Sequence, residues 1–396
     1  MATPVTLESM LDAVEQIAPI LRKHAAEAEE RRRLSDAAAA AMKEAGLYRM
    51  WVPRAYGGLE LDPMLGNRVL EQVARIDSAA AWNLALSVGG PLMLAFFEEK
   101  AAAEIYENGD VLTAGTFFPT LDAVPVDGGF RVGGRMPFGS GSHHCQWFIA
   151  TAHVMENGKA REDGKGKPQM YFVWVPRSDI EIIDHWDTMG MRGTGSHDVA
   201  IRDAFVPRHR AAPVIAPENR SSLPKGFEGP LYRSTVWPAV SALASVATGI
   251  ARAAIDELVA LATKKTPNYM PAPLRERSSA QTQVALAEAK LGAARAYFYE
   301  ALREAFESGI AGRFIDLPQK CKVQLAAVNA AAAAAETVDL VHAAAGSSGI
   351  RREHPFERHF RDVHVITQHA YISAARYESV GKPLFGLESD WGFLEF

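Results

Sequence analysis

Apolar residues in the first hundred positions recur every three or four places. Leu7, Met10, Leu11, Val14, Ile17 and Leu21 form one such stripe, the signature of a helix that buries a single face. Ser35 ahead of Asp36, and Gly46 behind an alanine-rich run, predict a short helix with an N-cap and a closing glycine. Tyr56-Gly57-Gly58-Leu59 reads as a turn, and helical periodicity resumes from Pro63 to Ile76. From Trp82 to Phe97 the chain is apolar nearly all round, which predicts a buried helix or pocket wall.

The period changes near Thr113. Asp127-Gly128-Gly129 lies between Val124/Val126 and Phe130/Val132, a hairpin signal flanked by alternation. Trp147 to Val154, Met170 to Val175, Ile180 to Ile183 and Val199 to Val206 read as further strands, with Asn157 to Pro168 as a polar hairpin loop. From Arg233 the helical period returns in four long runs: Ser234 to Thr263, Arg277 to Glu307, Pro318 to Ala345 and Phe356 to Val380. Four such runs with short connections predict an antiparallel bundle. The alanines from Ala330 to Ala335 give either a smooth face for packing between subunits or simply strong helix propensity. The expected fold is mainly α: an N-terminal helical domain (1–112), a middle β-barrel domain (113–215) and a C-terminal four-helix bundle (225–396).

Composition narrows the function classes. A chain of 396 residues with 48% hydrophobic content buries enough surface for two or three domains. With 22% charged residues and a net charge of −5, no concentrated basic face marks a nucleic-acid partner. Two cysteines, Cys145 and Cys321, make no disulfide framework, as befits a reducing compartment. The N-terminus lacks the basic and apolar regions of a signal peptide, and no uninterrupted apolar segment reads as long enough to span a bilayer. The expected location is cytoplasmic. His354, His359, His364 and His369 recur every five residues, about 140° per step around a helix, so they scatter. His143 and His144 would face opposite sides of a strand. No metal site is expected.

Two stretches carry the strongest signal. Asp187-Thr188-Met189-Gly190-Met191-Arg192-Gly193-Thr194-Gly195-Ser196, read with Phe360-Arg361-Asp362-Val363-His364-Val365-Ile366-Thr367-Gln368-His369-Ala370-Tyr371, resembles the acyl-CoA dehydrogenase superfamily. The resemblance covers nearly the whole chain and implies that superfamily's three-domain fold. In its short- and medium-chain dehydrogenases, the helix after the Arg-Asp pair carries a glutamate that takes the substrate's α-proton. That position here is Ala370, which has no proton chemistry, and it follows His369. The resemblance is therefore to the branch of flavin-dependent monooxygenases that receive reduced flavin from a separate reductase. That branch's Ser-Gly, His, Trp run is matched within Gly134-Arg135-Met136-Pro137-Phe138-Gly139-Ser140-Gly141-Ser142-His143-His144-Cys145-Gln146-Trp147.

By this resemblance Ser140 is the serine near flavin N5 and His369 the active-site histidine. Trp82, His144 and Trp147 stand beside the cofactor, with Arg192, Thr194 and Ser196 in the motif at the isoalloxazine ring. Ser347, Ser348 and Gly349 belong to a Gly-rich turn that contacts a neighbouring subunit's flavin, and Arg277 has a similar role. Phe138 and Gly90 line the substrate pocket. Gly90 replaces a histidine of the branch, which predicts a roomier pocket for a fused-ring or indole-like substrate. The implied partners are O2, a small aromatic or heteroaromatic substrate, a separate NAD(P)H:flavin reductase that supplies FMNH2 or FADH2, and further copies of the chain in a homotetramer.

The chemistry suits these residue types. Reduced flavin and oxygen give a C4a-hydroperoxide in that branch, which decays to hydrogen peroxide unless water is excluded and N5 is held by a hydrogen bond. A serine hydroxyl both donates and accepts. A histidine that titrates near neutral pH deprotonates a phenol-like substrate or hydrogen-bonds the peroxide. Arg361, Val365 and His369 fall on one helical face at four-residue spacing, which would point into the pocket. Taken without the resemblance, Ser140 reads more readily as a turn residue and His369 as a core histidine. No strand–Gly-x-Gly-x-x-Gly–helix nicotinamide motif is visible. The alternative is an acyl-CoA dehydrogenase-like flavoenzyme with a relocated base, against which stands the lack of any Glu or Asp from Ser234 to Ile255.

Overall fold

The computed structural model describes residues 5–109, 111–162, 166–214 and 223–395. Helix α1 (Leu7–Arg31) starts at Thr6, whose hydroxyl accepts the Ser9 N–H, and buries the expected stripe. Helix α2 (Asp36–Glu44) is capped by Ser35 and followed by Gly46 at φ +72°, as the sequence suggests. Helices α3 (Pro63–Ala74) and α4 (Ser78–Leu94) follow, each with an aspartate N-cap, then α5 (Glu99–Ile105). Nearly every residue of α4 is buried, in keeping with its all-round apolar character.

Among the described residues eight strands follow: β1 (Thr113–Val126), β2 (Gly129–Met136), β3 (Trp147–Glu156), β4 (Lys159–Ala160), β5 (Met170–Pro176), β6 (Ile180–Ile183), β7 (Asp198–Pro207) and β8 (Ala211–Pro213). The sheet runs β6-β7-β2-β1-β3-β5-β8, with β4 beside β3. The expected barrel is thus an open one, a mixed sheet wrapped around its own apolar core of Leu121, Val132, Phe148, Val173 and Val199. β1 and β3 run parallel, and their register slips between Thr116 and Leu121, next to Phe117. Part of the polar loop after β3 pairs as β4, and residues 163–165 of that loop lie outside the described residues.

Three of the four late helical runs appear as read: α6 (Trp237–Lys264), α7 (Ser278–Ile310) and α8 (Leu317–Ala345). The fourth is broken. α9 (Phe356–Ile366) ends before His369, and α10 (Ala375–Leu384) begins only after a run of tight turns. Gln324 Nε2 of α8 donates to the Tyr371 carbonyl at 2.6 Å, and Ile372 is buried, so packing against α8 replaces the helical bonds lost there. No glycine or proline announces that break. The Ala330–Ala335 run is largely buried against this chain's own α6 and α7, so its small side chains serve internal packing.

α6 corrects a second expectation. By length and composition it could cross a membrane, yet 89% of its apolar window is buried inside the protein. It is the central helix of the helical core, which α3 and α4 also join. Gly249 allows the contact with α3: a Cβ there would stand 2.5 Å from the Glu71 carbonyl oxygen. Glu71 is itself buried, and it accepts from Arg295 Nε (2.9 Å), Arg295 Nη2 (2.7 Å) and Thr248 Oγ1 (2.7 Å). A buried carboxylate is tolerable only when paired in this way.

Candidate active site

The two motif stretches are far apart in sequence and locked together in space. Asp362, on α9, is buried; its Oδ1 accepts the Met191 N–H at 2.6 Å and its Oδ2 the Ser78 hydroxyl at 2.5 Å. Arg358 lies 3.4 Å from the same carboxylate and 3.0 Å from Asp77, the N-cap of α4. Burial pushes the Asp362 pKa up, while Arg358 and these donors pull the other way. Arg361 donates to Glu357 Oε2 (2.7 Å) and to the Met189 carbonyl (2.6 Å), and it pairs with Glu29. Gly190 packs flat on the Arg361 backbone, where a Cβ would come within 2.5 Å. Arg361 therefore braces the 187–196 loop and does not share a pocket face with His369.

That loop delivers a buried cluster of hydroxyls. Ser140 Oγ and Ser196 Oγ are hydrogen-bonded at 2.5 Å, and Ser196 bonds Thr194 Oγ1 at 2.6 Å. Thr194 Oγ1 also donates to the Met191 carbonyl at 2.8 Å. The Trp82 indole N–H, from α4, donates to Ser140 Oγ at 3.4 Å. Ser140 sits in a turn after β2, one residue past Gly139, which packs against Val199 of β7. Three hydroxyls and an indole N–H with no ionised group among them suit the neutral, hydrogen-bonding edge of a flavin ring.

His369 meets this cluster from the α9–α10 turns. Its ring stands edge-on to Trp82 at 5.3 Å and parallel to Tyr371 at 5.3 Å. Nδ1 accepts the Tyr371 N–H at 3.4 Å, which leaves the neutral ring's proton on Nε2. Its surface is only partly covered, yet it lies deep in the fold, and burial pushes its pKa down to about 4. The imidazole is thus neutral across the ordinary pH range, where the sequence suggested titration near neutrality.

Other expected residues fall elsewhere. His144 lies in a turn, not a strand, and its Nε2 contacts Asp36 at 3.0 Å at the start of α2. Its neighbour His143 packs against His197 at 5.3 Å, and burial pushes its pKa down to about 4. Trp147 lies beneath the Arg210 guanidinium at 5.2 Å. Arg192 is engaged by Asp187 at 2.8 Å and the Thr188 carbonyl at 2.9 Å. Phe138 takes φ +65°, is exposed, and approaches Trp186 at 6.2 Å. Arg277 is exposed at the start of α7, and Ser347 is exposed just past α8. Ser348 is buried and receives Lys265 Nζ at 3.0 Å, while the Gly349 carbonyl meets His342 Nε2 at 3.1 Å.

Gly90 opens no space. A Cβ there would stand 2.1 Å from Thr113 Oγ1, so Thr113 fills the volume that the sequence assigned to substrate. Thr113 is fixed by hydrogen bonds to Ser87, its hydroxyl donating to the Ser87 carbonyl at 2.7 Å. Sequence reasoning also missed Asn83. Both of its side-chain polar atoms are buried without a partner among the described residues, beside Gly141. A lone amide inside the apolar run from Trp82 to Phe97 was the available signal.

Comparison with known proteins agrees with this geometry. The acyl-CoA dehydrogenase N-terminal domain family matches residues 7–105, and the C-terminal domain family matches 241–374. The chain is 33% identical over 399 residues to an indole-3-acetate monooxygenase of Pseudomonas putida, covering 100% of this chain and 97% of that one. It is 26% identical over 386 residues to a flavin-dependent monooxygenase oxygenase subunit of Rhodococcus jostii, covering 95% and 98%. Among solved structures, XiaF from Streptomyces in complex with FADH2 and glycerol superposes with a TM-score of 0.89 at 24% identity, covering 97% of each chain. An alanine where the dehydrogenases carry their glutamate, a histidine just before it, a hydroxyl cluster beside Trp82 and full-length similarity to aromatic monooxygenases all agree. The chain belongs to the flavin-dependent monooxygenases built on the acyl-CoA dehydrogenase fold, as an oxygenase component.

Proposed function

We propose that this protein hydroxylates a small, flat aromatic or heteroaromatic molecule, indole-like in size, with Ser140 and His369 as its catalytic residues. The observation that carries the reading is the meeting of Ser140 and His369 on Trp82, from segments more than two hundred residues apart. Reduced FMN or FAD, delivered by a separate reductase, supplies the activated oxygen when bound. Ser140 would hold the flavin edge through its hydroxyl, which can turn away from Ser196 at little cost because Ser196 keeps Thr194. Trp82 fixes Ser140 from behind, and its ring keeps water away from that hydroxyl.

His369 acts as a neutral group. With Nδ1 held by the Tyr371 N–H, its Nε2–H would be the donor offered to a reacting oxygen when flavin and substrate are bound. The homotetramer is proposed on the resemblance alone, in which Arg277 and Ser347, both exposed, would reach a cofactor on a neighbouring subunit. The dehydrogenase alternative is weaker. Ala370 brings no base, Asp362 is fully engaged by Ser78, Met191 and Arg358, and the first turns of α6 carry no carboxylate.

The deciding experiment is oxygen consumption with photoreduced flavin and a panel of aromatic substrates, with product and hydrogen peroxide measured separately. Product formed in proportion to oxygen supports the reading. Bleaching of protein-bound oxidised flavin by an acyl-CoA, without oxygen, would revive the dehydrogenase.

A further inference from the structure

Side chains hold Tyr371 at both ends of its backbone. Its N–H donates to His369 Nδ1 at 3.4 Å, and its carbonyl accepts Gln324 Nε2 at 2.6 Å. The turns around it close on the His369 carbonyl, which receives the Ile372 N–H at 3.0 Å and the Ser373 N–H at 2.9 Å. The local alternative is plain helix, in which the Tyr371 N–H would donate to the Thr367 carbonyl and the Tyr371 carbonyl would accept the Ala375 N–H. Sequence periodicity favours that helix, since it runs unbroken from Phe356 to Val380. Gln324 draws the carbonyl out of helical register, and the N–H is left for the imidazole.

Packing alone does not call for glutamine at this place. Gln324 is fully buried on α8, and Val323, Ala327 and Val328 around it in sequence are buried apolar residues. Its Oε1 has no partner among the described residues, and an orphan of that kind costs about 1–3 kcal/mol. Leucine would fill a similar volume without that cost. A residue that breaks a local rule in a core is expected where a functional site needs it, and here the need is the Tyr371 carbonyl.

We infer that Gln324 is a positioning residue for His369: by fixing the Tyr371 backbone it holds Nδ1 as an acceptor and keeps the imidazole proton on Nε2. It acts through Tyr371 and His369 and not on the reacting atoms. An imidazole released from the Tyr371 N–H would exchange between its two neutral tautomers and lose its set angle to Trp82. The consequence for oxygenation rests on the role given to His369 in the proposed function. The competing account is that Phe393 and Trp391, against the Tyr371 ring at 4.5 and 5.5 Å, hold the turn by themselves.

The test has a spectroscopic arm and a kinetic one. In flavin-free protein labelled with 15N-histidine, the His369 signals, identified by their loss in His369→Ala, should show Nε2 protonated and Nδ1 bare. Gln324→Leu should mix the two tautomers. With reduced flavin and indole as the probe, Gln324→Leu should lower product per oxygen about three- to tenfold, in kcat more than in KM. In the His369→Ala background the same change should cost nothing further, because the effect passes through the imidazole. Gln324→Glu keeps the size of the side chain and donates only when protonated. It should therefore approach the wild type near about pH 5 and resemble Gln324→Leu near about pH 8. An unchanged His369 tautomer in Gln324→Leu, or an equal loss of coupling with and without His369, would overturn the inference. Mixed tautomers with unchanged coupling would uphold the hold on the imidazole and count against the catalytic role of His369 alone.

Discussion

Asp362 and His369 stand seven residues apart and are held in opposite ways. Asp362 is buried on a regular helix, with Ser78, Met191 and Arg358 around its carboxylate. His369 sits where helical bonding has stopped, with one long contact to Nδ1 and rings on two sides. The first is over-determined and has no hydrogen-bonding capacity to spare for a ligand. The second keeps Nε2 for other use. Within one short motif, an anchor fixes the frame while its neighbour stays chemically open, and that division is how a fold retains its shape while its reaction changes.

The sharpest way to break the comparison is to remove the anchor. Asp362→Ala leaves Arg358 less neutralised and the Met191 N–H without an acceptor, so it should cost about 3–5 kcal/mol of stability. Urea denaturation reads this directly; a loss below about 1 kcal/mol would mean that Asp362 is no anchor. His369→Ala should leave the unfolding midpoint nearly unchanged and lower product yield roughly 10²- to 10⁴-fold, with oxygen diverted to hydrogen peroxide. Product coupled to oxygen as in the wild type would return His369 to a packing role.

Smaller effects sharpen the picture. Ser140→Ala should lower product per oxygen about ten- to a hundredfold while flavin still binds, the usual cost of one hydrogen bond at a reacting centre. Unchanged peroxide release would leave Ser140 a turn residue. Gly90→Ala should destabilise by about 1–3 kcal/mol through overpacking against Thr113, with no shift in the ranking of large against small substrates. A changed ranking would restore Gly90 to the pocket.

The smallest expected effect is none. Because His369 titrates near 4, coupling that depends on it should stay flat from pH 5 to 8 and decline only as pH falls toward 4. A bell centred on pH 6.5 would contradict this. The same depressed values have a consequence for stability. His143, His359 and His369 are each pushed down to about 4, below the ordinary 6.5 of an unfolded chain. Between those values the unfolded state binds protons that the folded state refuses, so stability should be lost as pH falls from about 6.5 toward 4.

The sequence by itself determined the parts whose cause is local. Helix stripes, the Ser35 cap, the Gly128 hairpin and the buried α4 follow from period and turn chemistry within a few residues, and the structure places them as read. The motif residues Ser140, Thr194, Ser196 and His369 were legible because their spacing resembles a known family. Only the tertiary structure decided which group meets which. Asp362 finds Ser78 284 positions away and Met191 171 positions away, distances at which no periodicity carries information. The turns that place His369 exist because Gln324 of α8 takes the Tyr371 carbonyl, and Gly90 is closed by Thr113 of a neighbouring strand. The pKa of His369 belongs to the same class. It arises from what surrounds a side chain once apolar surface has been buried, and that is settled by packing among distant segments.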